Sequence, residues 1–436
     1  MVLPIVLCSI TCVVMILAIL FFPKLRLGKV RLDTYWLITL LGAVIVLACA
    51  STKLETVGKA LIADTAINPL KILALFLSMT VLSIFLDELG FFRFLASVAL
   101  KRARTGQTKL FLYLYITVSI LTVFTSNDII ILSFTPFICY FAKNAKIDPI
   151  PYLAAEFVAA NTWSMALIIG NPTNIYLATA SGIGFLEYVK YSIFPTLFGG
   201  SVALCALLLL FRKKLRMPMD AQPEDVVIED KLSLWVGIAH LGVCTVLLAI
   251  GSYIGLEMWL VSVCAAGSLF IFTGVIAIVR RKKPAALIGC LKRAPYQLVP
   301  FVLSMFVMIV VLGDVGVTAK IGEFLGGDLP VLKYGTISFL SANLINNIPM
   351  SVLFSSIIEG SGGVAGLPAV FATIIGSNVG AFLTPIGALA GIMWSNIIGK
   401  HGLKFGYLDF LKIGVTVAIP TLFAALGGLW LAFAVF

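Results

Sequence analysis

The sequence predicts an all-α polytopic membrane protein built from two inverted-topology repeats, with about 10 transmembrane helices, two of them broken, and two re-entrant hairpins. Three observations carry that reading. Hydrophobic residues make up 61% of the chain and charged residues 12%, with a mean hydropathy of +1.10; a soluble domain is about half apolar and a quarter charged. The chain also repeats itself at offsets near half its length. Leu77-Ser78-Met79, Leu86 and Gly90 recur as Leu303-Ser304-Met305, Leu312 and Gly316, an offset of 226, and Asn161 and Gly170 recur as Asn378 and Gly387, an offset of 217. Leu186-Glu187-Tyr188-Val189-Lys190 and Pro195-Thr196-Leu197-Phe198 return as Leu408-Asp409-Phe410-Leu411-Lys412 and Pro420-Thr421-Leu422-Phe423. Finally, polar breaks interrupt apolar spans at matching points of the two halves.

In chain order, apolar runs long enough to cross a bilayer occupy 2–22, 34–52, 70–87, 188–211, 233–253, 256–279, 295–315 and 408–435. The first lacks a basic start and a cleavage site, and reads as a retained helix rather than a signal peptide. Residues 91–109, with Arg93, Lys101, Arg102 and Arg104, read as an amphipathic helix on the inner surface. Residues 110–142 and 334–359 turn on polar tips and form the hairpins; 152–180 and 367–399 are the broken helices. The first repeat is thus 1–211, the second 233–436, and the acidic run within 212–232 is a cytoplasmic linker.

Six loop segments hold 24 of the 31 Lys and Arg. Placing them in the cytoplasm gives one consistent path, with both termini outside and the second half upside down relative to the first. The net charge of +11 therefore orients the chain in a bilayer and does not mark a nucleic-acid binder. The eight cysteines form no C-x-x-C pair and read as small buried hydrophobes; no metal or cofactor is expected.

Four polar constellations fall inside apolar sequence. They are Thr125-Ser126-Asn127-Asp128 with Thr135-Pro136; Asn343, Asn346-Asn347 and Pro349; Asn161-Thr162 with Gly170-Asn171-Pro172-Thr173-Asn174; and Gly376-Ser377-Asn378-Val379-Gly380 with Thr384-Pro385-Ile386-Gly387. An unpaired amide or hydroxyl in hydrocarbon costs about 2–7 kcal/mol, and broken backbone survives there only inside protein or around a cavity. Equivalent breaks in two repeats therefore imply one shared site, the pattern of a secondary carrier. The expected binding residues are Ser126, Asn127, Asp128, Asn161, Thr162, Gly170, Asn171, Thr173, Asn174, Asn346, Asn347, Ser377, Asn378, Thr384 and Gly387. Asp128, the acid of these constellations, is the expected dock for a coupling H+ or Na+. Asp87, Glu88 and Asp314 sit at span ends and read as interfacial, and His240 reads as a packed core residue.

Leu86-Asp87-Glu88-Leu89-Gly90-Phe91-Phe92, Asn127-Asp128 with Thr135-Pro136, Asn346-Asn347-Ile348-Pro349, Leu383-Thr384-Pro385-Ile386-Gly387 running on to Trp394, and Arg293-Ala294-Pro295-Tyr296-Gln297 resemble the ion transporter superfamily, and most closely its arsenite permease branch. The resemblance covers nearly the whole chain and extends in architecture to silicon efflux and divalent anion/sodium symporter carriers. It implies a secondary carrier, often dimeric, with a scaffold and a moving transport domain, that expels trivalent arsenic and antimony hydroxides against proton entry. Two departures stand out: the branch has acids where this chain has Asn161 and Asn378, and a Lys where it has Phe382.

The expected cargo is a small inorganic oxyacid or anion. The alternatives are a sodium- or proton-coupled dicarboxylate-like carrier and a sodium/proton antiporter. An intramembrane aspartyl protease is disfavoured, because Asp314 aligns with Glu88 across the inverted repeat and the two acids then lie toward opposite faces. Association with a cytoplasmic ATPase is left open by the sequence.

Overall fold

A computed structural model describes residues 2–22, 24–27, 30–49, 54–63, 68–103, 106–219, 226–251, 254–360 and 366–436. Residues 220–225 of the expected linker and Arg104 of the expected surface helix lie outside them.

The chain opens with α1 (Val2–Phe21) and α2 (Thr34–Cys49), packed together, followed by the short α3 (Leu54–Ile62). An antiparallel ribbon, β1 (Lys24–Leu27) and β2 (Val30–Asp33), joins the first two and departs from the all-α expectation. Its signal was present: Lys24-Leu25-Arg26-Leu27 alternates with the period of a strand. Next come α4 (Pro69–Glu88), α5 (Phe91–Ala103), α6 (Gln107–Phe124), α7 (Asn127–Asn144), α8 (Ile150–Trp163), α9 (Pro172–Ala180) and α10 (Phe185–Leu215). After α11 (Lys231–Gly251), α12 (Met258–Val279) and α13 (Ala285–Arg293), the series resumes. Its members are α14 (Leu298–Asp314), α15 (Val317–Leu325), α16 (Pro330–Ile345), α17 (Asn347–Gly360), α18 (Gly366–Gly380), α19 (Leu389–Lys400) and α20 (Tyr407–Val435).

Packing partners recur between the halves. α6 and α7 pack on α8 as α16 and α17 pack on α18, and α5 meets α7 as α15 meets α17. α4 and α14 are both followed by a glycine in the left-handed region, Gly90 at φ 79° and Gly316 at φ 74°, a backbone conformation that residues with a Cβ rarely adopt. The halves interlock: α10 packs along α20, α7 touches α19, and α17 touches α9.

Burial sorts the helices into a centre and an outer shell. Every residue of α8 from Pro151 to Thr162 is buried, and so is every residue of α18 from Ala369 to Gly380. A helix buried all round must occupy the middle of the molecule. By contrast, α1, α12 and α20 expose large apolar side chains such as Val13, Ile271, Ile278, Phe423 and Trp430. Eight segments among the described residues are long and apolar enough to cross a membrane. Exposed apolar faces on such helices are lipid-facing surface, so this is a multi-pass membrane protein.

Several expectations need correction. The surface helix stops at Ala103, with Arg93, Lys101 and Arg102 exposed and its apolar face on α6 and α7. The short helices α13 and α15 lie where the sequence offers no element. Cys8, Cys139, Cys244 and Cys290 are buried, but Cys49, Cys205 and Cys264 face outward, so three cysteines are not core residues. Asp87 and Glu88 are not simply solvated: Arg293 reaches both, at 2.6 Å and 2.7 Å, and ties α13 to the end of α4. His240 packs as expected, with Nδ1 2.8 Å from the Val236 carbonyl and its ring against Phe272.

Candidate functional site

Each constellation lies where a helix stops and another starts. α6 gives way to α7 at extended Thr125 and Ser126, and α16 to α17 at Asn346. The chain between α8 and α9 runs through a single 3-10 turn, Ile168–Gly170, and Leu389 restarts the helix after α18. Asn171 caps α9 by accepting the Thr173 N–H at 3.2 Å, with Pro172 supplying a first residue that needs no donor. Thus α7, α9, α17 and α19 all begin at a break.

Close backbone approach explains two glycines. A Cβ on Gly170 would run into the Ser164 carbonyl oxygen, and one on Gly387 into the Gly380 carbonyl oxygen and Asn343 Oδ1. Both turns are folded equally tightly, with the nearest backbone oxygen 2.4 Å from the Cβ position in each.

One network of amides joins three of the four constellations. Asn127 Nδ2 donates to Asn161 Oδ1 at 3.0 Å, and the Ser164 hydroxyl donates to the Asn161 carbonyl at 2.8 Å. Asn378 is the hub: its Oδ1 accepts from Ser164 at 2.9 Å and from Asn171 Nδ2 at 2.8 Å. Its Nδ2 donates to Asn174 Oδ1 at 2.7 Å and to the Ile374 carbonyl at 2.8 Å. Asn174 Nδ2 then closes the loop on the Ser164 carbonyl at 2.7 Å. The remaining constellation attaches to the far end of the α18–α19 turn. Asn346 Nδ2 donates to the Ile386 carbonyl at 3.0 Å, the Asn347 N–H to the Gly387 carbonyl at 3.0 Å, and Asn343 Oδ1 accepts the Thr384 hydroxyl at 2.7 Å.

Four hydroxyls at or beside these breaks, Ser126, Thr162, Thr173 and Ser377, are buried without a hydrogen-bond partner among the described residues. A buried unsatisfied hydroxyl costs about 1–3 kcal/mol, so these four are left at a cost by the protein's own packing. Asn346 adds backbone strain, at φ 72° and ψ 152°, a region that side-chain-bearing residues rarely occupy.

Asp128 stands apart from the network. It is half-buried in the first turn of α7, its carboxylate makes no hydrogen bond or ion pair among the described residues, and it lies within electrostatic reach of the Tyr35 hydroxyl on α2. A carboxylate there compensates the helix amino terminus. Phe382, where the arsenite permease branch has Lys, is buried in the apolar core. The sequence reading missed Ser164, which joins Asn161 to Asn378 across the halves of the chain, and Glu156, a fully buried acid on α8 that accepts the Thr135 hydroxyl at 2.9 Å. Glu156 was visible as a lone acid in Ala154-Ala155-Glu156-Phe157-Val158. Ser164 carried no signal beyond its place at the break.

Lipid-facing helices around two central broken ones, with their breaks hydrogen-bonded to each other, define a membrane transporter. The chain belongs to the citrate transporter family (CitMHS), which it matches over residues 13–376. It is 28% identical over 381 residues to an arsenical pump membrane protein of Escherichia coli, covering 82% of this chain and 85% of that one. A putative arsenical pump membrane protein of Bacillus subtilis is 24% identical over 409 residues, covering 86% and 89%. Among solved structures, the YdaH transporter of Alcanivorax borkumensis shares the fold at a TM-score of 0.56 with 14% identity, covering 99% of this chain and 98% of that one. MtrF of Neisseria gonorrhoeae, from a class of antimetabolite efflux pumps, does so at 0.51 with 15% identity, covering 98% and 94%.

Proposed function

We propose that this chain is a secondary carrier for a small inorganic oxyacid, of the arsenite and antimonite efflux type, coupled to H+ or Na+ by elevator-like alternating access. The observation that carries the reading is the Asn378-centred network with its four orphaned hydroxyls. Every named group in it is an amide, a hydroxyl or a carbonyl. Arsenite is an uncharged hydroxide at neutral pH, and such a solute needs paired donors and acceptors rather than a counter-charge. The relatives named as arsenical pump proteins point the same way.

A citrate-like polyanion is the second reading, favoured by the family's description and by the helix amino termini of α7, α9, α17 and α19 at the breaks. Against it, no Lys or Arg belongs to any of the four constellations. The halves 1–211 and 233–436 would act as inverted repeats, with both termini outside and two copies forming a homodimer. The relatives and structural neighbours are transporters, which supports a carrier over an enzyme.

The test is transport by the full chain in proteoliposomes, with arsenite, antimonite, phosphate, sulfate and citrate each offered with and without sodium and proton gradients. Arsenite and antimonite should move. Citrate transport alone would replace this reading with the second.

A further inference from the structure

The centre of α8 holds a carboxyl that the amide network does not use. Glu156 lies five residues before Asn161, about one and a half helical turns, and is 0% exposed. Across from it on α7 stands Thr135, whose hydroxyl is 2.9 Å and 3.1 Å from the two carboxyl oxygens. The α7–α8 seam therefore carries two polar clasps, Asn127–Asn161 at the tip and Thr135–Glu156 further along. Pro136, inside α7, follows the second clasp immediately, and a proline there removes a backbone hydrogen bond and eases bending.

A third element completes the junction. Trp394 of α19 is buried, with its ring 5.2 Å from Phe157 and 5.6 Å from Phe410. Its indole N–H lies toward the Glu156 carboxyl without reaching hydrogen-bond geometry, and has no other partner. No cation faces Glu156 among the described residues. The elements around α8 bring Cys139 from α7, within electrostatic range. They also bring Tyr115 from α6 and Tyr188 from α10, whose hydroxyls are donated to the Gly200 and Met165 carbonyls. α18 contributes only neutral amides and hydroxyls here, such as Ser377 and Asn378. A lone carboxylate in such surroundings is far more costly than a neutral acid.

We propose that Glu156, clasped by Thr135 and approached by the Trp394 N–H, carries the proton that couples transport. The inference rests on the carrier reading and supplies its coupling group. In this conformation the carboxyl is neutral. When α8 meets water, the proton passes to a water molecule and leaves a carboxylate. The Thr135 hydroxyl and the Trp394 indole N–H then both donate to it, and donors to a charged acceptor hold about twice as strongly. Deprotonation thus draws α19 toward the α7–α8 seam, whose ends carry Asn127 and Asn161 of the amide network.

The test uses the full chain in proteoliposomes with arsenite as probe. Glu156→Gln should lose the proton-gradient stimulation of arsenite transport at least tenfold and retain gradient-independent arsenite exchange; Glu156→Asp should recover part of the stimulation. Infrared spectra of the purified protein give a readout that needs no substrate. The carbonyl band of a protonated carboxylic acid at neutral pH should vanish in Glu156→Gln and persist in Asp128→Asn. If the wild type moves no arsenite, the carrier reading fails while the infrared comparison still decides the protonation of Glu156. Wild-type gradient stimulation in Glu156→Gln, or a persistent carbonyl band in that variant, overturns the proposal.

Discussion

At the scale of single residues, Asn378 does the most. Four hydrogen bonds converge on its amide, linking α8, the α8–α9 turn, α9 and α18. Asn378→Asp would turn two donated bonds toward acceptors and place negative charge at the helix amino termini. It should slow transport of an anion such as phosphate by tenfold or more, while neutral arsenite tolerates it better. Rates for both cargoes in the one variant check this; unimpaired phosphate transport with arsenite transport lost would contradict the argument. Asn346 offers a second test. Its backbone sits where glycine is at ease, at a cost of about 1–3 kcal/mol, and its side chain holds the Ile386 carbonyl. Asn346→Gly should therefore leave thermal stability unchanged or raised and lower transport, whereas Asn346→Ala should lose both. Equal melting temperatures for the two variants would show that the strain is unimportant.

At the scale of elements, the breaks were legible and their partners were not. Asn, Pro and Gly inside apolar spans leave few alternatives, and helices end and restart at Thr125-Ser126, at Asn346, between Trp163 and Pro172, and between Gly380 and Leu389. Which amide meets which depends on how α18 crosses α8 and α9, and no local pattern encodes that. Glu156 was passed over because it interrupts no helix; attention to breaks alone hides an acid in a smooth one. α13 and α15 escaped notice for the opposite reason, since short amphipathic helices inside basic or glycine-flanked loops resemble loop. Arg293 belongs to this scale as well, because its two ion pairs join α13 to α4 across the halves of the chain. Asp87 is buried, so removing its cation leaves a carboxylate poorly solvated. Arg293→Ala should cost about 1–3 kcal/mol and lower the melting temperature in detergent. Arg293→Lys should recover only part, because a single ammonium replaces a two-pronged guanidinium. A melting temperature unchanged by Arg293→Ala would show that the clamp adds nothing to stability.

For the whole molecule, α6 and α7 pack on α8 as α16 and α17 pack on α18, and α8 and α18 are each buried along most of their length. Each half brings one broken helix to the centre, and Asn378 of the second half joins side chains of the first through three hydrogen bonds. The cysteines lie outside this network, four buried elsewhere, Cys12 half-buried and three facing outward. A trivalent arsenic carrier that released its cargo from thiolates would turn over slowly. Replacing all eight by Ala or Ser should therefore leave arsenite transport within about threefold of wild type, a change worth under 1 kcal/mol. Complete loss in a stably folded variant would argue for thiol ligation. The claim that the buried amide network is the transport site is tested most directly by arsenite transport in proteoliposomes, comparing wild type with Asn378→Ala at matched melting temperatures. The account predicts transport by the wild type and a loss of at least tenfold in the variant. Equal rates in the two proteins would contradict it.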